Sequence, residues 1–452
     1  MDQFEELKRE VKGLGKEKQK KKIEHTSFIV LNSGLAEMIY NPEKSETQFA
    51  VFEDDKIEFR KSITLPDEKI IKPFPPEQDV VRKGIVLFPS KAEEYGDEKQ
   101  LLTELQNFIH RYLEISPLFE KIASYYVLFT WIYDNFNELP YLRAFGDWGT
   151  GKTRFIKTIG ILCYKPIFCG GSVTSSPIFR ILENIKGTFV IDEADFKNSE
   201  CWADIIKILN CGYEKGLVVL RSEGRDTHFE TKTFNVFSPK ILATREQFED
   251  QALESRCLTE NMERMSRQDI PFNLPDSFWE EATQIRNKLL MWRFRNYGKK
   301  KIKPELADRS VEPRLNQIMI PLASIIEDKE VQSELKEFIK KYNQRLILDR
   351  GMKFEAEVLE VLAKLFEEKE PTMEDIAKEM NEKYGYNDLN FRGKKFTAKY
   401  IGGVVRRKLR LEPRKTMYGW AIPLSEKERI EKLKEKFGLK KEEEPEIDSK
   451  DL

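Results

Sequence analysis

Residues 146–153 read Gly-Asp-Trp-Gly-Thr-Gly-Lys-Thr, which fits the pattern G-x-x-x-x-G-K-[ST]. Each residue type in it has a chemical reason. Gly146, Gly149 and Gly151, with Asp147, Trp148 and Thr150 between them, let the backbone curl so that its N–H groups and a following helix N-terminus surround phosphate oxygens. Lys152 would neutralise the β and γ oxygens, and Thr153 would offer its hydroxyl to Mg²⁺. Forty residues beyond Lys152, Gly187-Thr-Phe-Val-Ile-Asp192-Glu193 is an apolar run that ends in two acids. Carboxylates at the end of a buried strand lie at the sheet edge where α/β proteins bind ligands. There Asp192 would hold the Mg²⁺ shell and Glu193 would polarise an attacking water. Together the two motifs predict ATP and Mg²⁺ as the ligands.

These residues need elements to position them. LPYLRAF (139–145) reads as a buried strand feeding the loop, and TRFIKTIGIL reads as the helix behind it. Strand-like and helix-like segments alternate to about residue 262, which predicts a three-layer α/β domain. Before it come the amphipathic LLTELQNFIHRYL and the almost wholly apolar LFEKIASYYVLFTWIYDNF. The segments TSFIVL, LAEMIY, TQFAVF and KIEFRKSI alternate apolar and polar residues between turn signals, as a small antiparallel sheet over about 26–64 would. The Pro-rich IIKPFPPEQD (70–79) reads as a linker. The expected division is a basic segment 1–25, a small β-rich domain and linker 26–80, the core with its preceding helices 97–265, a helical region 266–348, a C-terminal domain 350–424 and a charged tail 425–452.

The five cysteines (163, 169, 201, 211 and 257) lack paired zinc-type spacing, and the three histidines (25, 110 and 228) are scattered, so reduced structural thiols are expected. No run approaches the ~20 apolar residues that span a bilayer, and the N-terminus has no apolar signal region. A cytoplasmic protein with no membrane partner is the expectation.

As a set, the motifs resemble the AAA+ P-loop ATPases, and more narrowly the compact replicative-helicase-like members found on plasmids, phages and integrated elements, related to MCM and superfamily III. Asp192-Glu-Ala-Asp195 also spells DEAD, and Leu242-Ala-Thr244 imitates a DEAD-box motif. That match is treated as coincidence, because the gap to the first motif is too short and no second α/β half follows. The AAA+ resemblance covers about 100–345. It implies a helical lid over 266–348 and a sensor 1 residue at the end of Pro239-Lys-Ile-Leu-Ala-Thr244, which is Thr244. Asp250-Gln-Ala-Leu-Glu-Ser-Arg256 is similar to the family's "ALxSR" segment, which implies that Arg256 reaches a neighbouring subunit's γ-phosphate; Arg245 and Arg264 compete for that role. Sensor 2 would fall on Arg314 in Glu312-Pro-Arg314. A finger acting between subunits implies a homo-oligomer, with a hexameric ring as the expected form.

GLVVLRSEGRDTHFETKTFNVF holds two alternating runs around Ser222–Asp226, which predicts a β-hairpin. Relatives carry a DNA-gripping hairpin just before sensor 1, so Arg221, Arg225 and Lys232 are candidate DNA contacts. Over 354–423 the pattern is three helices and two short strands. From Lys394 to Lys415 there are nine Lys/Arg and one acid. A basic third helix and a basic wing are the footprint of a winged helix on phosphates, which makes Lys399, Arg406, Arg407, Arg410, Arg414 and Lys415 candidates. The chain's net charge of −1 is therefore an average of segregated charge.

The expected function is an ATP-driven oligomeric DNA motor, a helicase of a mobile element that takes any primase or polymerase chemistry from separate replication proteins. The alternatives are a switch-like initiator or loader that assembles on DNA with ATP without unwinding it, or a defence or transposition ATPase acting through protein partners.

Overall fold

The computed structural model describes residues 23–170, 175–192, 200–225, 228–248, 250–351, 354–367, 369–384 and 396–439. It divides into two compact units, 1–336 and 337–452.

The first unit is organised by one parallel sheet. Five strands, β8 (Tyr141–Phe145), β9 (Ile167–Cys169), β10 (Phe189–Ile191), β13 (Lys240–Thr244) and β14 (Cys257–Asn261), lie in the order β14-β8-β13-β10-β9, and every pairing is parallel. In chain order this is 5-1-4-3-2. The strands read as near-continuous apolar runs because both faces are covered, as parallel sheets require. Helices Lys152–Gly160, Ser175–Ile185 and Glu200–Cys211 connect successive strands. The helix Pro117–Trp131 is buried along almost its whole length, which accounts for its lack of a polar face.

Between helix Glu200–Cys211 and β13 stands the hairpin β11 (Val218–Arg225) and β12 (His228–Asn235). Its ladder runs through Ser222, which pairs with Thr231. The strands therefore extend beyond the turn expected at Ser222–Asp226. The base of the hairpin is pinned by Lys240, which is fully buried at the start of β13. Its Nζ donates to the carbonyls of Gly212 (3.1 Å), Val236 (3.0 Å) and Ser238 (2.7 Å) and to the Ser238 hydroxyl (3.2 Å). Burial drives this ammonium well below its ordinary value.

The N-terminal strands form two sheets. β2 (Phe28–Val30), β3 (Gly34–Asn41), β4 (Glu46–Glu53) and β5 (Lys56–Arg60) make an antiparallel sheet in that order. β1 (Ile23–His25), β7 (Ile70–Lys72) and β6 (Ile63–Thr64) make a second. The Pro-rich stretch read as a linker thus begins with a strand, held because Ile71 and Phe74 are buried.

This β-rich region is bolted to the core through buried charge. Glu37 of β3, 1% exposed, accepts from Arg293 Nε (2.7 Å), the Tyr164 hydroxyl (2.8 Å) and Lys165 Nζ (2.8 Å). Arg293 reaches Asp134 as well (2.9 and 3.0 Å). Tyr164 and Lys165 lie between helix Lys152–Gly160 and β9, so the knot joins the N-terminal sheet to the segment that follows that helix.

In the second unit, helices Phe354–Phe366, Met373–Tyr384 and Ala398–Arg407 close on a core that includes Leu359, Leu362, Ile376, Met380, Ile401 and Val405. Strands β15 (Arg414–Thr416) and β16 (Gly419–Ala421) form an antiparallel hairpin, tied to the second helix by the Thr372–Ala421 bridge. Helix Lys427–Lys436 follows and buries Ile430 in the same core. Among the described residues, no helix is long and apolar enough to cross a membrane.

Candidate functional site

The loop Gly146–Gly151 leaves the C-terminal end of β8 and enters helix Lys152–Gly160. Gly149 (φ 72°) and Gly151 (φ 87°) take the left-handed conformation that turns the chain. A side chain at Gly146 would meet the Met262 carbonyl at 2.6 Å, so the loop's first position has no room for one. Gly151 is the N-cap and supplies no side-chain cap, which leaves the first-turn N–H groups of a nine-residue helix for an anion. Lys152 Nζ donates to the carbonyls of Gly146 (2.8 Å) and Asp147 (2.6 Å), folding the ammonium over the loop.

The sheet order then decides what meets the loop. β13 lies between β8 and β10, so the C-terminal ends of all three strands adjoin. Asp192 directly follows β10, and its Oδ2 accepts a 2.9 Å bond from the Thr153 hydroxyl. Thr244 ends β13 and is fully buried. Its carbonyl accepts from Gly146 N–H at 3.2 Å, while its hydroxyl has no hydrogen-bond partner among the described residues. A buried hydroxyl left in this way, one residue before Arg245, is a departure from the usual pairing of buried polar groups.

The cleft has a volume of about 720 Å³ and is lined by the loop from Trp148 to Thr153, by Arg154 and Lys157, by Asp192 and Arg245, and by Phe272, Asn273, Leu274 and Trp279. Trp148, 67% exposed, carries the Arg245 guanidinium 3.7 Å above its ring. Arg154 Nη2 donates to the Phe272 carbonyl at 2.5 Å. Phe272 and Trp279 are exposed aromatics, and they come to the cleft from a segment more than a hundred residues after the loop. No local sequence signal announces them. Arg154 follows the motif directly and was legible only as part of the helix.

A metal here finds one carboxylate and one hydroxyl rather than a protein cage. Among the described residues, no group of three or more His, Cys, Asp or Glu is placed to hold a metal ion. That donor set suits Mg²⁺, which keeps waters and takes phosphate oxygens for the rest of its shell. Glu193 lies outside the described residues.

The remaining expected site residues fall elsewhere. Arg256 is 5% exposed; its Nη1 donates to Asn210 Oδ1 at 2.6 Å and its guanidinium lies 3.8 Å above the Tyr213 ring. Two residues earlier, Glu254 pairs bidentately with Arg143 of β8, with Nη1 at 2.7 Å; the sequence reading passed over this buried pair. Arg264 and Arg314 are exposed, and neither lines the cleft. Arg245, weighed as a finger toward a neighbour, lines the cleft of its own chain.

On the hairpin, Arg221 turns to the interior. Its guanidinium lies 4.8 Å from the Phe179 ring centroid, bonds Ser175 Oγ at 3.3 Å and approaches Asp204 at 3.5 Å. Phe234 is buried against Phe179, in keeping with the alternation. Lys232 is exposed opposite Arg221 in the ladder, and the Arg225 side chain lies outside the described residues.

In the second unit, Lys399, Arg406 and Arg407 are exposed on the third helix, Arg410 on the connection that follows it, and Lys415 on the hairpin. Arg406 stacks on Trp420 at 4.5 Å, and Arg414 is paired with Glu370. Of the other expected segments, 1–22 and 440–452 lie outside the described residues.

No protein-family model and no curated protein matches the chain. Among solved structures, the A-form apo structure of the C-terminal region of NrS-1 is similar with a TM-score of 0.36 and 11% identity, over 86% of this chain and 96% of that one. A full-length MCM homolog from Methanopyrus kandleri is similar with a TM-score of 0.34 and 9% identity, over 69% of this chain and 77% of that one.

Proposed function

We propose that this protein is an ATPase of the AAA+ kind that acts on DNA, binding ATP with Mg²⁺ in the cleft and turning it over as a homo-oligomer, with a hexameric ring as the working form. The observation that carries the reading is the 2.9 Å bond between Thr153 and Asp192, made beside an uncapped helix N-terminus at the switch region of a 5-1-4-3-2 parallel sheet. Thr153 closes the glycine-rich motif and Asp192 closes an apolar strand, and their hydrogen-bond contact supports a reading in which a hydroxyl and a carboxylate act together on Mg²⁺.

In this reading the loop amides and Lys152 hold the triphosphate. Thr153 and Asp192 would hold the Mg²⁺, which supplies charge neutralisation of the phosphate oxygens. Glu193 orients the attacking water, and the Thr244 hydroxyl bonds the terminal phosphate or that water. Arg256 serves the neighbouring subunit's site, which requires assembly to draw it from Asn210 and Tyr213; Arg314 completes the site from the helical lid. DNA is held by the hairpin, through Lys232 and Arg225 with Arg221 bracing its base, and by the second unit acting as a winged helix. A separate primase or polymerase would be a partner in replication.

ATP turnover and strand separation measured together on forked DNA test the reading. Lys152→Ala should abolish nucleotide binding or turnover, and Glu193→Gln should bind ATP but stall. Arg256→Ala should bind ATP yet be inactive, and mixing it with Lys152→Ala protein should restore some active interfaces. Wild-type turnover by Arg256→Ala in isolation would move the role between subunits to another arginine, with exposed Arg264 the next to test. Stimulation of turnover by DNA without strand separation would favour the loader-like alternative.

A further inference from the structure

The hairpin of the second unit ends in an unusual tip. Thr416 and Gly419 face each other in the ladder, so the loop between them is two residues, Met417 and Tyr418. The turn is braced: the Thr416 hydroxyl donates to the Gly419 carbonyl (2.8 Å) and accepts from Tyr418 N–H (3.2 Å), and Gly419 takes a φ of 117°. Yet Met417 is 88% exposed and Tyr418 76%. Trp420, the next residue in the alternation after Tyr418, is 44% exposed beneath the Arg406 guanidinium. A single exposed apolar side chain needs no explanation, but three large ones at the end of one hairpin do.

Their surroundings select the occupant. Residues 394–415 carry nine Lys/Arg against one acid; Arg406 is exposed over Trp420, Lys415 is exposed in β15, and Arg407 is exposed on the third helix. The core of a protein interface is depleted of charge, whereas a nucleic-acid surface combines cations for phosphates with flat side chains for base faces. Phosphates take the cations and have no use for Tyr418 or Met417. A base whose face is uncovered does, because an aromatic ring can stack on it, and every base has such a face.

We infer that the wing tip Met417–Tyr418 binds nucleobases, stacking on the uncovered base at a junction between paired and unpaired DNA, while the surrounding lysines and arginines hold the phosphates. This rests on the DNA-binding reading of the second unit and adds to it a preference for junctions. Stacking and phosphate contacts also differ in their response to salt. Phosphate neutralisation releases counterions and sets the slope of log K against log salt, whereas stacking leaves that slope unchanged.

The test measures binding of the full chain to a fork and to a closed duplex by fluorescence anisotropy across a salt series. Tyr418 is largely exposed, so truncating it leaves the core intact. Tyr418→Ala should weaken fork binding by about 5- to 150-fold, the range that base–aromatic stacking supports, with an unchanged salt slope and unchanged duplex affinity. Tyr418→Phe should keep fork affinity within roughly twofold, since the ring face is retained. Unchanged fork affinity in Tyr418→Ala overturns the inference and marks the tip as a protein contact. An equal loss on both DNAs with a shallower slope overturns it too, because the residue would then serve phosphates. If the wild-type chain binds neither DNA, the DNA reading of the whole unit fails, an outcome distinct from either.

Discussion

Glu37→Gln puts the buried charge knot on trial. In the native protein, two cations, Lys165 and Arg293, face two carboxylates, Glu37 and Asp134, and the first three are at most 1% exposed. Glutamine keeps the shape but leaves two buried cations sharing Asp134. Removing one partner from a buried pair costs about 3–5 kcal/mol, because the remaining charge has no compensation. The cluster has one route of relief. Burial, reinforced by Arg293 and opposed by Glu37, already lowers the Lys165 ammonium to about 8. Without Glu37 it falls further, so the variant can shed that proton near neutral pH. The unfolded chain keeps it up to an ordinary lysine value, so the folded form binds fewer protons and its stability rises with pH. Between the variant's folded value and pH 8 the variant therefore recovers about 1.4 kcal/mol per pH unit relative to wild type. Above pH 8 both climb together. Urea unfolding at pH 6, 7, 8 and 9 measures this: the deficit should be largest at pH 6, shrink toward pH 8 and then level. A deficit below about 1 kcal/mol at pH 6, or one constant from pH 6 to 8, would refute the account of the knot as paired charge. Adding Lys165→Met should recover part of the deficit at pH 6, since Arg293 and Asp134 then balance.

Thr153→Ala and Asp192→Asn should each reduce Mg²⁺-dependent turnover by roughly 100-fold or more while ATP still binds, a split read by turnover over a Mg²⁺ series beside nucleotide-binding titration. Arg245→Ala should slow turnover by about 10- to 100-fold and abolish the change in Trp148 fluorescence on ATP binding, because its guanidinium stacks on Trp148 and lines the cleft in which ATP is proposed to bind. Trp148→Phe provides the spectral control. Lys240→Met removes the buried donor of the Ser238 carbonyl, while the Gly212 and Val236 carbonyls keep bonds from the Ser238 N–H and hydroxyl, so it should cost about 1–3 kcal/mol, seen as a lowered thermal midpoint.

What could be read from the sequence depended on how far apart the cooperating residues lie. The loop from Gly146 to Thr153 is contiguous, and its chemistry is written in consecutive residue types. The α/β alternation survives because each strand or helix announces its own period. Asp192 was found because a carboxylate closing an apolar strand has few places to be in a parallel sheet. Where a partner within the chain is distant, the sequence does not show it. Arg221 has the sequence context of an outward hairpin cation, but Asp204 and Phe179 draw it in. Arg256 sits in a segment that resembles a subunit-bridging motif, yet within one chain Asn210 and Tyr213 bury it. IIKPFPPEQD has the composition of a linker, and pairing with residues 23–25 on one side and 63–64 on the other makes its first residues a strand. The Glu37–Arg293 bond spans 256 positions and carries no local signature.

The buried contacts around Arg256 bear on the role proposed for it. Glu254 ties the ALESR segment to Arg143 of β8, the strand that leads into the loop Gly146–Gly151, and Arg256 follows two residues later. The Arg256 carbonyl also accepts from Tyr141 N–H of the same strand at 2.9 Å. If Arg256 serves a neighbouring subunit as proposed, a shift of β8 against the short helix Gln251–Glu254 on nucleotide binding would reach it through these two contacts, the bidentate Arg143–Glu254 pair and the Tyr141–Arg256 backbone bond.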